Sequence, residues 1–145
     1  MTLLAAGAAY RIAWQHGGDR TLAWNDVSPA LGGMALTRPV AASFARQADL
    51  DQFLARAAPG QPSASRVLDL RGREAILIAG GARSSGGYAI EVLGVREERS
   101  RVVVSVRERT PSLSQPAPAT LTFPYRLIAV GATGKPVGVE WHGRP

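Results

Sequence analysis

The sequence predicts an α+β fold that is predominantly β. One short helix, at about residues 46–58, packs on a twisted, mostly antiparallel sheet able to curl into a barrel or a sandwich. Three observations carry this. Sixteen Gly and ten Pro in 145 residues supply the tight turns that short strands need. Only one stretch has apolar residues at helical spacing. After it, the chain repeats short apolar runs separated by turn residues. At 46% hydrophobic and 19% charged residues the chain reads as folded rather than disordered. A length of 145 residues fits a single domain spanning 1–145. Residues 1–45 form a hairpin-and-loop extension and 46–141 the core.

Tyr10–Trp14 and Thr21–Trp24 flank His16-Gly-Gly-Asp19, two short runs about a Gly-Gly turn, which reads as a β-hairpin. Asn25–Arg38 contains Asn-Asp, Ser-Pro and Gly-Gly and is assigned mostly to loop. Leu50, Phe53, Leu54 and Ala57 fall at i, i+3, i+4 and i+7 and give one apolar stripe. Asp49 and Asp51 early and Arg56 late match the helix dipole, and Pro59-Gly60 ends the helix.

Val67–Leu70 reads as a strand leading to the turn Arg71-Gly72. The continuous apolar run Ala75–Ala79 predicts a central strand buried on both faces. Tyr88–Arg96 and Arg101–Arg109 follow, joined at Glu97–Ser100. In the second of these Val102, Val104 and Val106 alternate with polar residues, and only Val103 departs from the pattern of a half-buried strand. Thr110–Ala119 holds three Pro and reads as an exposed loop. Thr120–Val130 is the next strand, bent at Pro124, and Val137, Val139 and Trp141 share one face of a last one. The expected core is Leu50, Phe53, Leu54, Ile76, Ile78, Ile90, Val92, Val102, Val104, Val106, Leu121 and Phe123.

The residues offer little chemistry. With no cysteine, this chain cannot use disulfides, thiolate nucleophiles or Cys-based zinc sites. His16 and His142 are far apart in sequence and show no metal-ligand spacing. No GxSxG elbow presents a serine, no phosphate-binding GxxxxGKS loop is present, and Lys135 sits between Gly134 and Pro136. Ser84 and Ser85 precede two glycines as turn residues do. The expectation is a protein without catalytic residues, metal or cofactor.

The formal charge is +6, from sixteen Arg and one Lys against eleven acids. Arg96, Arg99, Arg101, Arg107 and Arg109 surround one hairpin, which makes a nucleic-acid or anionic-surface binder the alternative reading. Glu91, Glu97, Glu98 and Glu108 dilute that patch, and aromatic stacking platforms are few. No apolar run approaches the ~20 residues that span a bilayer. Met1–Tyr10 is apolar but lacks a basic start, so no complete signal peptide is visible.

The most distinctive segment is Gly80–Tyr88, a glycine-rich join between two strands. Its glycines let backbone groups approach a partner, and Tyr88 offers an aromatic anchor. A hairpin connection whose tyrosine caps the core is the simpler alternative. Ser84, Ser85, Gly86, Gly87 and Tyr88 are the candidate partner-binding residues.

The order Ala48-Asp-Leu-Asp-Gln-Phe-Leu54, Val67–Leu70, Ala75-Ile-Leu-Ile-Ala79, Ser84-Ser-Gly-Gly-Tyr-Ala-Ile-Glu-Val92, Val102–Arg109, Pro111 and Thr122-Phe-Pro-Tyr125 resembles the C-terminal domain of the PrcB family of protease-complex subunits. The resemblance covers about residues 46–131. Ser84-Ser85 stands where that family usually has Pro-Thr. The resemblance implies an accessory subunit outside the cytoplasm or at the cell envelope, with a protease as partner, which it assembles, stabilises or inhibits. The Gly-Gly-Tyr loop is also similar to a short loop of chagasin-type cysteine-protease inhibitors.

Overall fold

The computed structural model describes residues 19–60, 68–114 and 116–143. Its strands are β1 (Arg20–Leu22), β2 (Trp24–Asp26), β3 (Pro39–Phe44), β4 (Arg73–Gly80), β5 (Ala89–Glu97), β6 (Val102–Arg109), β7 (Tyr125–Gly131) and β8 (Val137–Trp141). Helix α1 spans Gln47–Ala57, and a 3-10 turn covers Ser28–Ala30. The first sheet has the order β1-β5-β6-β8 and the second β2-β7-β4-β3. All pairings are antiparallel except β6 with β8, which is parallel.

β4 is the central strand expected from its apolar run, with every residue from Glu74 onward buried. It lies between β3 and β7, so neither edge is open. Side chains alternate across a strand, so its two faces meet two different cores. Ala75 and Leu77, with Leu127 and Ala129 of β7, pack against Leu50 and Leu54 of α1. Ile76 and Ile78, with Ile128 and Val130, pack against Ile90, Val95, Val102, Val104 and Val106 of the first sheet. The result is a helix on a two-sheet sandwich, not a closed barrel.

Helix α1 follows Arg46, which keeps an extended backbone, and Asp49 in its first turn pairs with the Arg46 guanidinium at 2.9 Å. Its buried stripe is Leu50 and Leu54, each worth about 1.5–3 kcal/mol of burial. Phe53 reaches Phe44 of β3, ring centroids 5.4 Å apart.

Several expectations need correction. Leu68 and Leu70 are buried beneath α1 but form no strand. The Leu70 N–H donates to the Gln47 side chain (3.2 Å), and Arg71 N–H donates back to the Asp69 carboxylate (3.0 Å), so side chains take the bonds a ladder would need. Val67 lies outside the described residues, as do Tyr10–Trp14 and His16 of the expected hairpin. Its other arm is described: Thr21 sits in β1 on β5, and Trp24 in β2 on β7. The segment Asn25–Arg38 is mostly loop as expected, interrupted only by the end of β2 and the 3-10 turn. β3 was not expected at all. Leu121 is 61% exposed, because the strand begins only at Tyr125 and Thr120–Pro124 runs outside both sheets, bridged at Thr122 to Arg83. Phe123 is half-buried, and Val103 is buried along with its neighbours.

Glu74 is buried at one end of the inter-sheet space, accepting a hydrogen bond from the Thr133 hydroxyl at 3.2 Å. Burial pushes its carboxyl above the usual glutamate range, against the Thr133 bonds and with the nearby charge of Glu97.

Two outcomes follow for stability. Leu54→Ala and Val104→Ala remove buried side chains from the two separate cores, and each lowers unfolding free energy, the leucine change by about 2–5 kcal/mol. Unchanged denaturant midpoints in both would refute the two-core assignment. Glu74→Gln tests the buried acid. A carboxyl whose folded pKa is raised costs nothing while protonated in both states. That stability is lost as pH rises from the ordinary glutamate value of 4.5 through the raised folded one. Glu74→Gln therefore melts above the parent near neutral pH, and the gap closes below pH 4.5. A gap independent of pH contradicts the burial argument.

Candidate functional site

Glu108 continues the inward period of Val102, Val104 and Val106 on β6, which carries a carboxylate to the end of the core. Its side chain is 1% exposed and pairs with Arg83, whose Nη2 lies 2.7 Å and Nε 3.0 Å from Oε2. Oε1 accepts no bond among the described residues. Arg83 also donates from Nη1 to the carbonyls of Gly80 (2.9 Å) and Ala82 (3.0 Å). The guanidinium carbon then sits 5.8 Å from the Tyr88 ring centroid, within the ~6 Å range of a cation–π contact. One buried ion pair thus fixes the start, middle and end of the Gly80–Tyr88 loop.

The loop's outer side is stapled to the segment 118–124. Gly80 N–H donates to the Pro124 carbonyl (3.0 Å), and Arg83 and Thr122 exchange backbone bonds of 2.8 Å. The Thr122 hydroxyl donates to the Ser85 carbonyl (2.7 Å), and Gly86 N–H donates to the Pro118 carbonyl (2.9 Å). The glycines are needed here. Gly87 has φ of +88°, and a Cβ on it would lie 3.0 Å from the Pro111 side chain. A Cβ on Gly86 would lie 3.2 Å from Pro118. The glycine-rich loop and the proline-rich loop are therefore one composite surface.

The structure divides the expected site residues. Ser84 is exposed at the tip, Ser85 and Gly86 are partly covered, and Gly87 is exposed. Gly87 lines a cleft of about 420 Å³ with Ala89, Arg109, Pro111, Pro116 and Pro118. Tyr88, half-buried, faces a smaller hollow of about 180 Å³ with Ile90, Phe123 and Tyr125. The five residues are contiguous in sequence, yet they do not face one cavity. Sequence reasoning missed Arg109 as a lining residue and Arg83–Glu108 as the anchor.

The arginine-rich hairpin is largely neutralised. Arg96 bonds to Glu98 and Glu140, Arg101 to Glu98, and Arg107 to Glu91. The Arg101 bond holds the Glu98 carboxyl below its usual range, and Arg107 does the same for Glu91. His142 Nε2 lies 3.3 Å from Glu140 Oε1. Among the described residues no cluster of three or more His, Asp or Glu is placed to hold a metal ion, and no helix is long and apolar enough to cross a membrane.

Residues 75–131 match the PrcB C-terminal family. This bears out the family resemblance for the segment from β4 through β7, including both loops and the Arg83–Glu108 pair. The match is shorter than the expected 46–131, since α1 lies outside it. No curated protein and no solved structure matches the chain.

The anchor has a measurable cost of removal. Arg83→Met leaves the buried Glu108 charge unpaired and destabilises the fold by about 3–5 kcal/mol, while Arg83→Met with Glu108→Leu recovers most of the loss. Chemical denaturation of the two variants decides it. Equal stability of Arg83→Met and the parent would show that the pair does not hold the loop.

Proposed function

We propose, on the PrcB C-terminal match over residues 75–131, that this protein is a non-catalytic accessory domain that binds a protease and assembles, stabilises or inhibits it. The carrying observation is the construction of the loop end. Inside the matched segment Arg83–Glu108 anchors the glycine-rich loop to β6, and the Gly86–Pro118 hydrogen bond and the close approach of Gly87 to Pro111 join it to the proline-rich loop, while their outer surface stays exposed. A surface ordered before binding loses less entropy on association, which favours recognition. The residues offer backbone groups, proline rings and a tyrosine, which is contact chemistry rather than bond-breaking chemistry. On the same family reading, the protein would work outside the cytoplasm or at the cell envelope. The paired arginines of the hairpin support this reading over nucleic-acid binding, because phosphate contacts would first have to displace bonded carboxylates.

The test is capture of a peptidase from the native envelope fraction, read by casein hydrolysis in the eluate, with melting temperatures measured alongside. The parent captures activity and shows only background hydrolysis alone. Gly87→Val forces a side chain onto Pro111 at positive φ, so it distorts the composite loop and lowers capture about tenfold or more. Tyr88→Ala lowers capture in a protein that still folds. Undiminished capture by both folded variants would assign these loops to scaffold, and intrinsic hydrolysis abolished by Ser85→Ala would overturn the non-catalytic reading.

A further inference from the structure

We infer that the cleft between the two loops takes an extended acidic segment of the partner, with Arg109 holding a side-chain carboxylate. This rests on the reading that the loop end faces a partner, and it adds what that partner presents. The argument begins with β6. Arg107 and Arg109 alternate with the inward Glu108, so both point to the outer face of the first sheet, opposite Glu91 and Ala89 in register. Arg107 is paired with Glu91 at 2.8 Å. Arg109 faces an alanine instead and is exposed; its charge helps lower the Glu91 carboxyl, but its side chain makes no hydrogen bond or ion pair among the described residues. Arg109 lines the 420 Å³ cleft, the one charged residue among the described residues to do so.

The rest of the cleft is built for a peptide rather than a phosphate. Pro111, Pro116 and Pro118 form apolar walls, while Thr110 and Ser112 add hydroxyls. A planar carboxylate matches a guanidinium in a two-bond fork, and proline rings cover an apolar neighbour of that carboxylate. The cleft is wide enough for about two side chains, within the lower range of small-ligand sites. Its shape is fixed by the Gly87–Pro111 contact and the Gly86–Pro118 hydrogen bond, so little order has to be gained on binding. The occupant's chemistry is thus an acidic residue beside an apolar one, in extended chain.

The experiment uses the full chain and a fluorescein-labelled, C-terminally amidated peptide of repeated Asp-Leu, with an Asn-Leu counterpart. Anisotropy reads affinity, and amide chemical shifts read location. The expected Kd for the acidic peptide is on the order of 100 μM, with shifts concentrated at Gly87, Arg109 and Ser112. The Asn-Leu peptide and the Arg109→Ala variant each weaken binding about tenfold. Arg56→Ala, which removes an exposed arginine on α1, leaves it unchanged. Equal weakening by Arg56→Ala, or equal affinity for both peptides, would mean non-specific charge attraction and overturn the inference. Absent peptide binding alongside intact peptidase capture would overturn it too, and would leave the protease-complex reading standing. Peptide binding at the cleft without peptidase capture would overturn that reading instead.

Discussion

The fold depends on one hydrogen-bonded pair of strands, β4 and β7, being buried on both faces. A sheet with one wet face needs only one partner layer, but this pair needs two. Ala75, Leu77, Leu127 and Ala129 must be covered by α1, and Ile76, Ile78, Ile128 and Val130 by the first sheet. Everything else in the architecture is placed by that demand. The helix supplies a narrow stripe of leucines because the face it covers carries alanines. The first sheet supplies β-branched residues because it meets isoleucines across a flat interface.

At the loop end the same demand meets a charge. Glu108 occupies a position where the period of β6 calls for an apolar residue, and Arg83 folds back to neutralise it. A buried ion pair is a weak source of net stability, since both groups lose water to form it. Its effect is specificity. An apolar pair could be covered by many loop conformations, whereas a fork of guanidinium bonds to Glu108, Gly80 and Ala82 admits few. The loop is long and rich in glycine, yet it is held at Gly80, Arg83, Ser85 and Gly86.

The periodic elements were legible in the sequence. α1, β4, and the β5–β6 hairpin follow from spacing alone, within a residue or two at their ends. β3 was not, because Pro39-Val-Ala-Ala-Ser-Phe44 is an edge strand of mostly small residues with no strong alternation. Leu121 was misplaced for the opposite reason: its Thr-Leu-Thr-Phe alternation looks like a strand, but Pro124 and the bridge at Thr122 divert the backbone before it reaches the sheet. The parallel docking of β8 on β6 is a long-range choice that no local pattern encodes. The candidate loop was found by its glycines. Its anchor was missed, though a signal existed in Glu108, a charged residue in phase with three inward valines, which implies a partner somewhere in the chain.

One feature of the backbone governs how this molecule comes apart. Between Leu22 and Trp24 the chain passes from pairing with β5 in one sheet to pairing with β7 in the other, so β1 and β2 lace the two layers through the single residue Ala23. Sheets that meet only through side chains can separate by admitting water. Here the chain is also hydrogen-bonded into one layer before Ala23 and into the other after it, so opening that seam means breaking one of the two ladders. Amide exchange at Leu22, Trp24, Val95 and Val130 then belongs to one cooperative event rather than to two independent sheets.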